Sequence, residues 1–250
     1  MANPIKQFVI ERMHDEPLMI AGFDVSFTNS ALFMVIALVV STAFFTLATR
    51  KKTMVPNRLQ MTAEVTYMFI ANMVRDTIGP KGAKYFPFVF TMFIFVLMGN
   101  VLGLVPYSFT YTSHLAVTGG LALMVFFMVI LFGLFTHRFK FFSLFAPAGA
   151  PWFIYPILVP IELISFFVRP LTLSVRLFAN MMAGHIILKV VASFAIAAAS
   201  VGGGYVLLSV FPVMVNFLMI TFEFLVAAIQ AYVFAILTCV YLKDSVELHH

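Results

Sequence analysis

The chemistry open to this sequence is concentrated between Pro160 and Lys189, PIELISFFVRPLTLSVRLFANMMAGHIILK, where Glu162, Arg169, Arg176, Asn180, His185 and Lys189 stand inside an otherwise apolar run. In hydrocarbon such side chains are expensive, and by default they mark an ion path facing a partner helix or a water-filled cavity. Glu162, Arg169 and Arg176 are seven residues apart, so they drift only about 20° per step and form one helical stripe. Asn180 lies about 40° from Arg176, and His185 about 180° away. One helix therefore presents a guanidinium to one side and an imidazole to the other. A second stripe follows later, Asn216, Glu223 and Gln230, again seven apart. A guanidinium keeps its charge, with a pKa above about 12, so Arg176 can attract a carboxylate but cannot relay a proton. Imidazole and carboxyl groups can be tuned toward ambient pH and can hand a proton on.

The elements that carry these groups must be membrane helices. The hydrophobic fraction is 62%, charged residues make up 10% and there are 31 Phe, while mean hydropathy is +1.05; lipid is the main solvent. The formal charge of +5 is too small and too scattered for nucleic acid, and it reads as cytoplasmic-side loop charge. Cys239 is the single cysteine, which excludes an internal disulfide and a Cys-based metal site and suits small apolar packing. No metal and no cofactor is expected. Met1 to Phe27 carries Lys6, Glu11, Arg12, Asp15, Glu16 and Asp24 without an apolar core, so no cleavable signal is expected there.

In chain order, residues 1–29 form a polar outer segment with a short amphipathic piece around Phe8 to Met13. Residues 31–49 are uncharged, long enough to span the hydrocarbon core, and stop at Arg50, Lys51 and Lys52, which places that end inside. Residues 57–78 are amphipathic: Leu59, Ala63, Thr66, Ile70, Met73 and Val74 share one face and the polar groups fall on the other half. This is an interfacial helix on the cytoplasmic side, broken by Gly79, Pro80 and Gly82. Residues 86–136 read as a helical hairpin, Phe86 to Tyr107 interrupted by Asn100 and Leu115 to Thr136 closed by His137, Arg138 and Lys140, with an outer loop from Pro106 to Ser113. Phe139 to Pro151 makes a turn or short re-entrant piece.

Residues 152–242 are too long for two upright spans. The helical pattern from Trp152 to about Ser200 would extend about 70 Å, against a hydrocarbon core about 30 Å thick. Pro156, Pro160 and Pro170 permit bends, yet a strong tilt is still required. Val201 to Gly204 turn the chain, and Tyr205 to Leu242 returns over about 57 Å with a kink at Pro212. A turn centred near Gly202 sets His185 level with Glu223 and Arg176 level with Gln230. The His185 level lies nearer the outer face by roughly 10 Å or more. The expected fold is an all-α polytopic membrane protein of about five membrane helices plus the interfacial helix, a single membrane domain over 1–250, with its last two helices in a long, strongly tilted hairpin.

At these residues the chain resembles the subunit a family of F-type ATP synthases. The resemblance covers most of the chain and is most specific in PLTLSVRLFANMMAGH at 170–185 with the spacing of Glu223 and Gln230; GNVLGLVP at 99–106 and TSHL at 112–115 also look like family signatures. It implies a non-catalytic component of the proton-transporting ATP synthase, in a bacterial inner membrane or, alternatively, a mitochondrial one, with its N-terminus outside and its C-terminus cytoplasmic. Its partners would be a ring of c subunits, peripheral-stalk b-type subunits, the other synthase subunits, lipid and protons, with no nucleic acid. Arg176 would be the stator arginine facing the ring, with Asn180 and Gln230 beside it. His185 and Glu223 would belong to the outer half-channel, with Asn100 and His114 near that route, Asn216 and Arg169 as secondary lining, and Glu162 on the cytoplasmic half-channel. Many bacterial relatives carry an acid where His185 stands and a His where Glu223 stands; this chain has the exchanged arrangement.

Plainer roles compete at several positions. Asn100, His114 and Asn216 suit hydrogen bonds to a neighbouring helix, Arg169 suits a pair with Glu162, Lys189 suits snorkelling, and His14, His137, His249 and His250 suit solvation. Arg176 is the exception, since Glu162 lies about 21 Å away along the helix and no nearer acid shares its face. Other classes fit less well. A secondary transporter calls for internal repeats, and none relates the two halves. A voltage sensor calls for Arg at every third residue.

Overall fold

Five of the helices are long and apolar enough to cross a membrane. A computed structural model describes residues 8–13, 19–20, 23–24, 26–50, 55–105, 108–138, 141, 153–202 and 205–246. The expectations for His14, Lys51, Lys52, Pro106, Lys140, most of the 139–151 turn, Gly203, Gly204, His249 and His250 lie outside the described residues. The helices are α1 (Asn29–Thr49), α2 (Arg58–Ile78), α3 (Phe86–Gly103), α4 (Leu115–His137), α5 (Tyr155–Val201) and α6 (Tyr205–Val246), with short 3-10 turns at Pro80–Tyr85 and Tyr111–Ser113. The fold is thus an all-α polytopic membrane protein. The only strands among the described residues are the two-residue β1 (Met19–Ile20) and β2 (Phe23–Asp24), paired antiparallel. The piece around Phe8 to Met13 forms no α-helix: Met13 donates its N–H to the Phe27 carbonyl at 3.0 Å, and Asn29 donates to that of Glu11 at 3.1 Å.

At about 1.5 Å per residue α5 is about 70 Å long and α6 about 63 Å, so neither can stand upright in a core about 30 Å thick. Pro160 and Pro170 lie inside α5 and Pro212 inside α6 without ending either helix. Helix α5 stops where Gly202 takes φ +76°, a conformation in which a side chain is strained. Helix α3 ends at Gly103, earlier than the Tyr107 that hydropathy suggests, because the chain folds back and Thr110 packs onto the bare face of Gly103.

The chain comprises two compact units. The first contains Met1–Ala43, Phe95–His114 and Leu177–Ala231. Here α3 is fixed to α6 by Asn100, fully buried, whose side-chain amide donates to the Ala227 carbonyl at 3.2 Å. Tyr111 lies over Gly99, where a Cβ would strike its phenol ring, and donates its hydroxyl to the Phe95 carbonyl at 2.8 Å. Small residues at Gly184, Ala227 and Ala231 allow helices to approach this closely.

The second unit contains Phe44–Ile94, Leu115–Arg176 and Tyr232–His250. Helix α2 buries Ala63, Ile70, Met73, Val74 and Ile78 as its apolar stripe predicts, while Leu59 in its first turn stays exposed. The 3-10 turn docks under it through Gly82, against Val74 and Ile78. Aromatic pairs Tyr67–Phe86, Tyr85–Phe132 and Phe126–Phe166 fill this unit. His137 is half-buried and lies 2.6 Å from the Val246 carbonyl. Cys239 is fully buried and packs as an apolar residue.

Helix α6 changes character along its length. From Glu223 onward it buries Ala227, Gln230, Ala231, Phe234, Thr238, Cys239 and Leu242, whereas Leu207, Phe211, Phe217 and Leu218 are 69–79% exposed. So much uncovered apolar surface on a lipid-soluble helix is a contact face for lipid or another chain.

Candidate functional site

His185 on α5 and Glu223 on α6 meet in the first unit, with imidazole Nδ1 3.7 Å from carboxylate Oε1. Glu223 is 4% exposed, and among the described residues neither of its oxygens has a hydrogen-bond partner. A carboxylate buried that way is strongly disfavoured, so the group calls for a proton, a water or a cation. Gly184 creates the space for it: a Cβ there would lie 2.6 Å from Oε1. Near them Asn180 donates its side-chain amide to Gln230 Oε1 at 2.9 Å, and Gln230 is itself buried.

Two clefts flank this cluster. One, of about 200 Å³, is lined by Phe8, Ser108, Thr110, His185 and Lys189. The other, of about 440 Å³, is lined by Asn180, Gly184, Phe222, Glu223 and Gln230. His185 lines the first and Glu223 the second, so the contacting pair has one member in each cleft.

The loop before α4 contributes from one side. Thr110 Oγ1 lies 2.9 Å from His185 Nε2, and the Phe8 ring meets the imidazole edge-on with centroids 6.3 Å apart. His114 stacks on Phe109 at 5.0 Å, and burial holds its pKa below the usual histidine value, favouring the neutral ring. Burial pushes the Tyr111 phenol up, so it stays a donor. Asn216 is half-buried, with its side-chain carbonyl unbonded among the described residues.

In the second unit Arg169 bridges two carboxylates, Asp244 at 2.8 Å and Glu162 at 3.8 Å, and lies over the Tyr241 ring at 5.4 Å. The pairing of Arg169 with Glu162 is present, but Asp244 is the closer partner. Arg176, two turns further along α5, is exposed and has no hydrogen bond or ion pair among the described residues.

Thr110, Tyr241 and Asp244 were missed in the sequence. Asp244 was within reach of hairpin counting, because 169 and 244 lie nearly symmetrically about the turn. Nothing in the sequence singles out Thr110. The count also misplaced one partner. The pairs 180/230 and 185/223 have midpoints 205 and 204, so the turn centres about two residues beyond Gly202 and Gln230 meets Asn180, one turn past Arg176.

Comparison with known proteins shows the family. The family described as ATP synthase A chain matches residues 31–243. An ATP synthase subunit a of Rhodospirillum rubrum is 50% identical over 249 residues, covering 100% of both chains. One from Hyphomonas neptunium is 52% identical over 98% of this chain and 96% of its own, and one from Mesorhizobium japonicum is 50% identical over 99% and 98%. With the family matched across most of its length and relatives at this identity end to end, the chain belongs to the ATP synthase A chain family, the membrane-embedded subunit a of F-type ATP synthases.

Proposed function

We infer that this subunit is the stator of a proton-driven rotary motor, with two aqueous half-channels and a fixed arginine facing a ring of c subunits. The observation that carries the reading is Arg176: a permanent cation, exposed on a helix that crosses lipid, with no anion among the described residues of its own chain, while Arg169 on the same helix has two. Such a charge calls for a carboxylate from another polypeptide. A proton arriving in the cleft beside His185 passes to Glu223 and so to the second cleft, where a rotor carboxylate takes it up and can turn into lipid. After nearly a full rotation it leaves by way of Glu162, beside the Arg169–Asp244 pair. Each charge crossing 100 mV contributes about 2.3 kcal/mol, so several protons serve each ATP. Peripheral-stalk b-type subunits would hold the stator, in a bacterial inner membrane with the N-terminus outside.

The direct test is a cysteine at Thr172 or Ala179, both exposed near Arg176, with a second beside the rotor's carboxylate. Oxidation is expected to cross-link the two chains in the assembled complex; native Cys239, fully buried, does not compete. No cross-link from either position sinks the proposal.

Gly184→Ala provides a check on the outer path. The new methyl must displace the Glu223 carboxylate, and a misplacement of about 1 Å lowers transfer by about 100-fold. Passive proton flux through vesicles stripped of the catalytic head is the measurement, and unchanged flux would remove Glu223 from the path.

A further inference from the structure

Thr110 stands where it can decide which nitrogen of His185 carries the proton. A threonine hydroxyl has one hydrogen and two lone pairs. Thr110 Oγ1 lies 3.2 Å from the Gly103 carbonyl and 2.9 Å from His185 Nε2. A carbonyl can only accept, so the single hydroxyl hydrogen goes to Gly103, at the end of α3. Only lone pairs are then left for the imidazole, and both contacts are satisfied in one arrangement: Nε2 carries the hydrogen and donates it to Thr110. The opposite assignment strips the buried Gly103 carbonyl of this hydroxyl.

We propose that Thr110 is a positioning residue that holds His185 in its Nε2–H tautomer and so presents the bare Nδ1 lone pair to Glu223. Nδ1 is the nitrogen 3.7 Å from Glu223 Oε1. A proton from water in the cleft that His185 lines is taken up at Nδ1, giving an imidazolium whose Nε2–H still donates to Thr110. Nδ1 then gives that proton to the Glu223 carboxylate, which becomes a carboxylic acid while the same neutral tautomer returns, so no ring flip is needed between cycles. Without the hydroxyl the ring is free to place its hydrogen on Nδ1, and that tautomer has no lone pair there for the incoming proton. Gly103 belongs to the device, because a Cβ there would run into Thr110 Oγ1.

The proposal rests on the reading of His185 and Glu223 as a proton path, and the test separates the two. Thr110→Val keeps the shape and removes the hydroxyl, while Thr110→Ser keeps the hydroxyl; each is measured as passive proton flux in head-stripped vesicles at equal levels of assembled complex. Thr110→Val is expected to slow flux about five- to tenfold, what one neutral hydrogen bond contributes, and Thr110→Ser to stay within about twofold of the parent on the same basis. In a His185→Ala background Thr110→Val should add nothing. If Thr110→Val runs at the parental rate while His185→Ala is slow, or if the two losses multiply, the tautomer role is overturned and the proton path stands. If His185→Ala is itself silent, the path falls and this proposal with it. Should Thr110→Val fail to assemble, Thr110→Cys, with a thiol that donates and accepts weakly, makes the same comparison.

Discussion

Arg176→Ala abolishes proton-driven ATP synthesis and leaves ATP hydrolysis by the detached catalytic head unchanged: that is the expected result, and it has the largest effect of any substitution considered. Two unit charges about 4 Å apart interact by about 4 kcal/mol at the effective dielectric of a protein surface. Losing that attraction is worth roughly three orders of magnitude in how often a deprotonated rotor acid is held at the stator, at about 1.4 kcal/mol per tenfold. The neighbouring Arg169 cannot substitute, since Asp244 and Glu162 already neutralise it. The fold should survive, because Arg176 is exposed and makes no hydrogen bond or ion pair among the described residues. The stripe that packs α5 is made by Phe166, Leu173, Leu177 and Met181. ATP synthesis driven by an imposed proton gradient, with hydrolysis of the released head as control, is the measurement. Retained synthesis would count decisively against the stator reading.

The second large effect falls on the His185–Glu223 pair. Either group changed to alanine is expected to slow proton uptake by about 100-fold, the lower range of what a placed acid or base contributes. Exchanging them, with Glu at 185 and His at 223, should restore part of the flux, since the acid and the imidazole remain neighbours. The recovery is partial for a steric reason. The Glu223 carboxylate occupies space that only a glycine at 184 leaves open, and an imidazole at 223 is wider than a carboxylate. If neither alanine variant changes flux in head-stripped vesicles, the outer half-channel has been assigned to the wrong residues.

The helices were legible in the sequence because lipid imposes a local rule. Every backbone group must be satisfied within the segment, so a long apolar run can only be a helix. That rule gave five spans, the amphipathic α2 and the excess length of α5 and α6. It failed at the end of α3, where hydropathy continues to Tyr107 but the helix stops at Gly103. The stop is set by Thr110 packing on a glycine seven residues earlier, a contact no apolar count registers.

The side-chain pairs divide along the same line. His185 with Glu223 followed from counting residues back from the turn, and the contact is present. Asn180 with Gln230 and Arg169 with Asp244 did not follow. In an antiparallel pair each residue by which the turn centre is misjudged moves the partner by two, and the midpoints of 180/230 and 169/244 lie three or more residues beyond Gly202, so each partner is displaced by more than one helical turn.

By itself, then, the sequence determined which segments are helical, which faces of them carry polar groups, and that Arg176 has no acid within a turn or two on its own helix. Those are properties of spacing along one chain, and helical periodicity transmits them without reference to any neighbour. Tertiary structure decided who meets whom: Glu223 buried against Gly184, Gln230 turned to Asn180, Arg169 claimed by Asp244, and a loop threonine brought 75 positions along the chain to the imidazole of His185. Such contacts depend on the register of two long helices and on where a loop folds back, and both are set by packing between residues far apart in sequence.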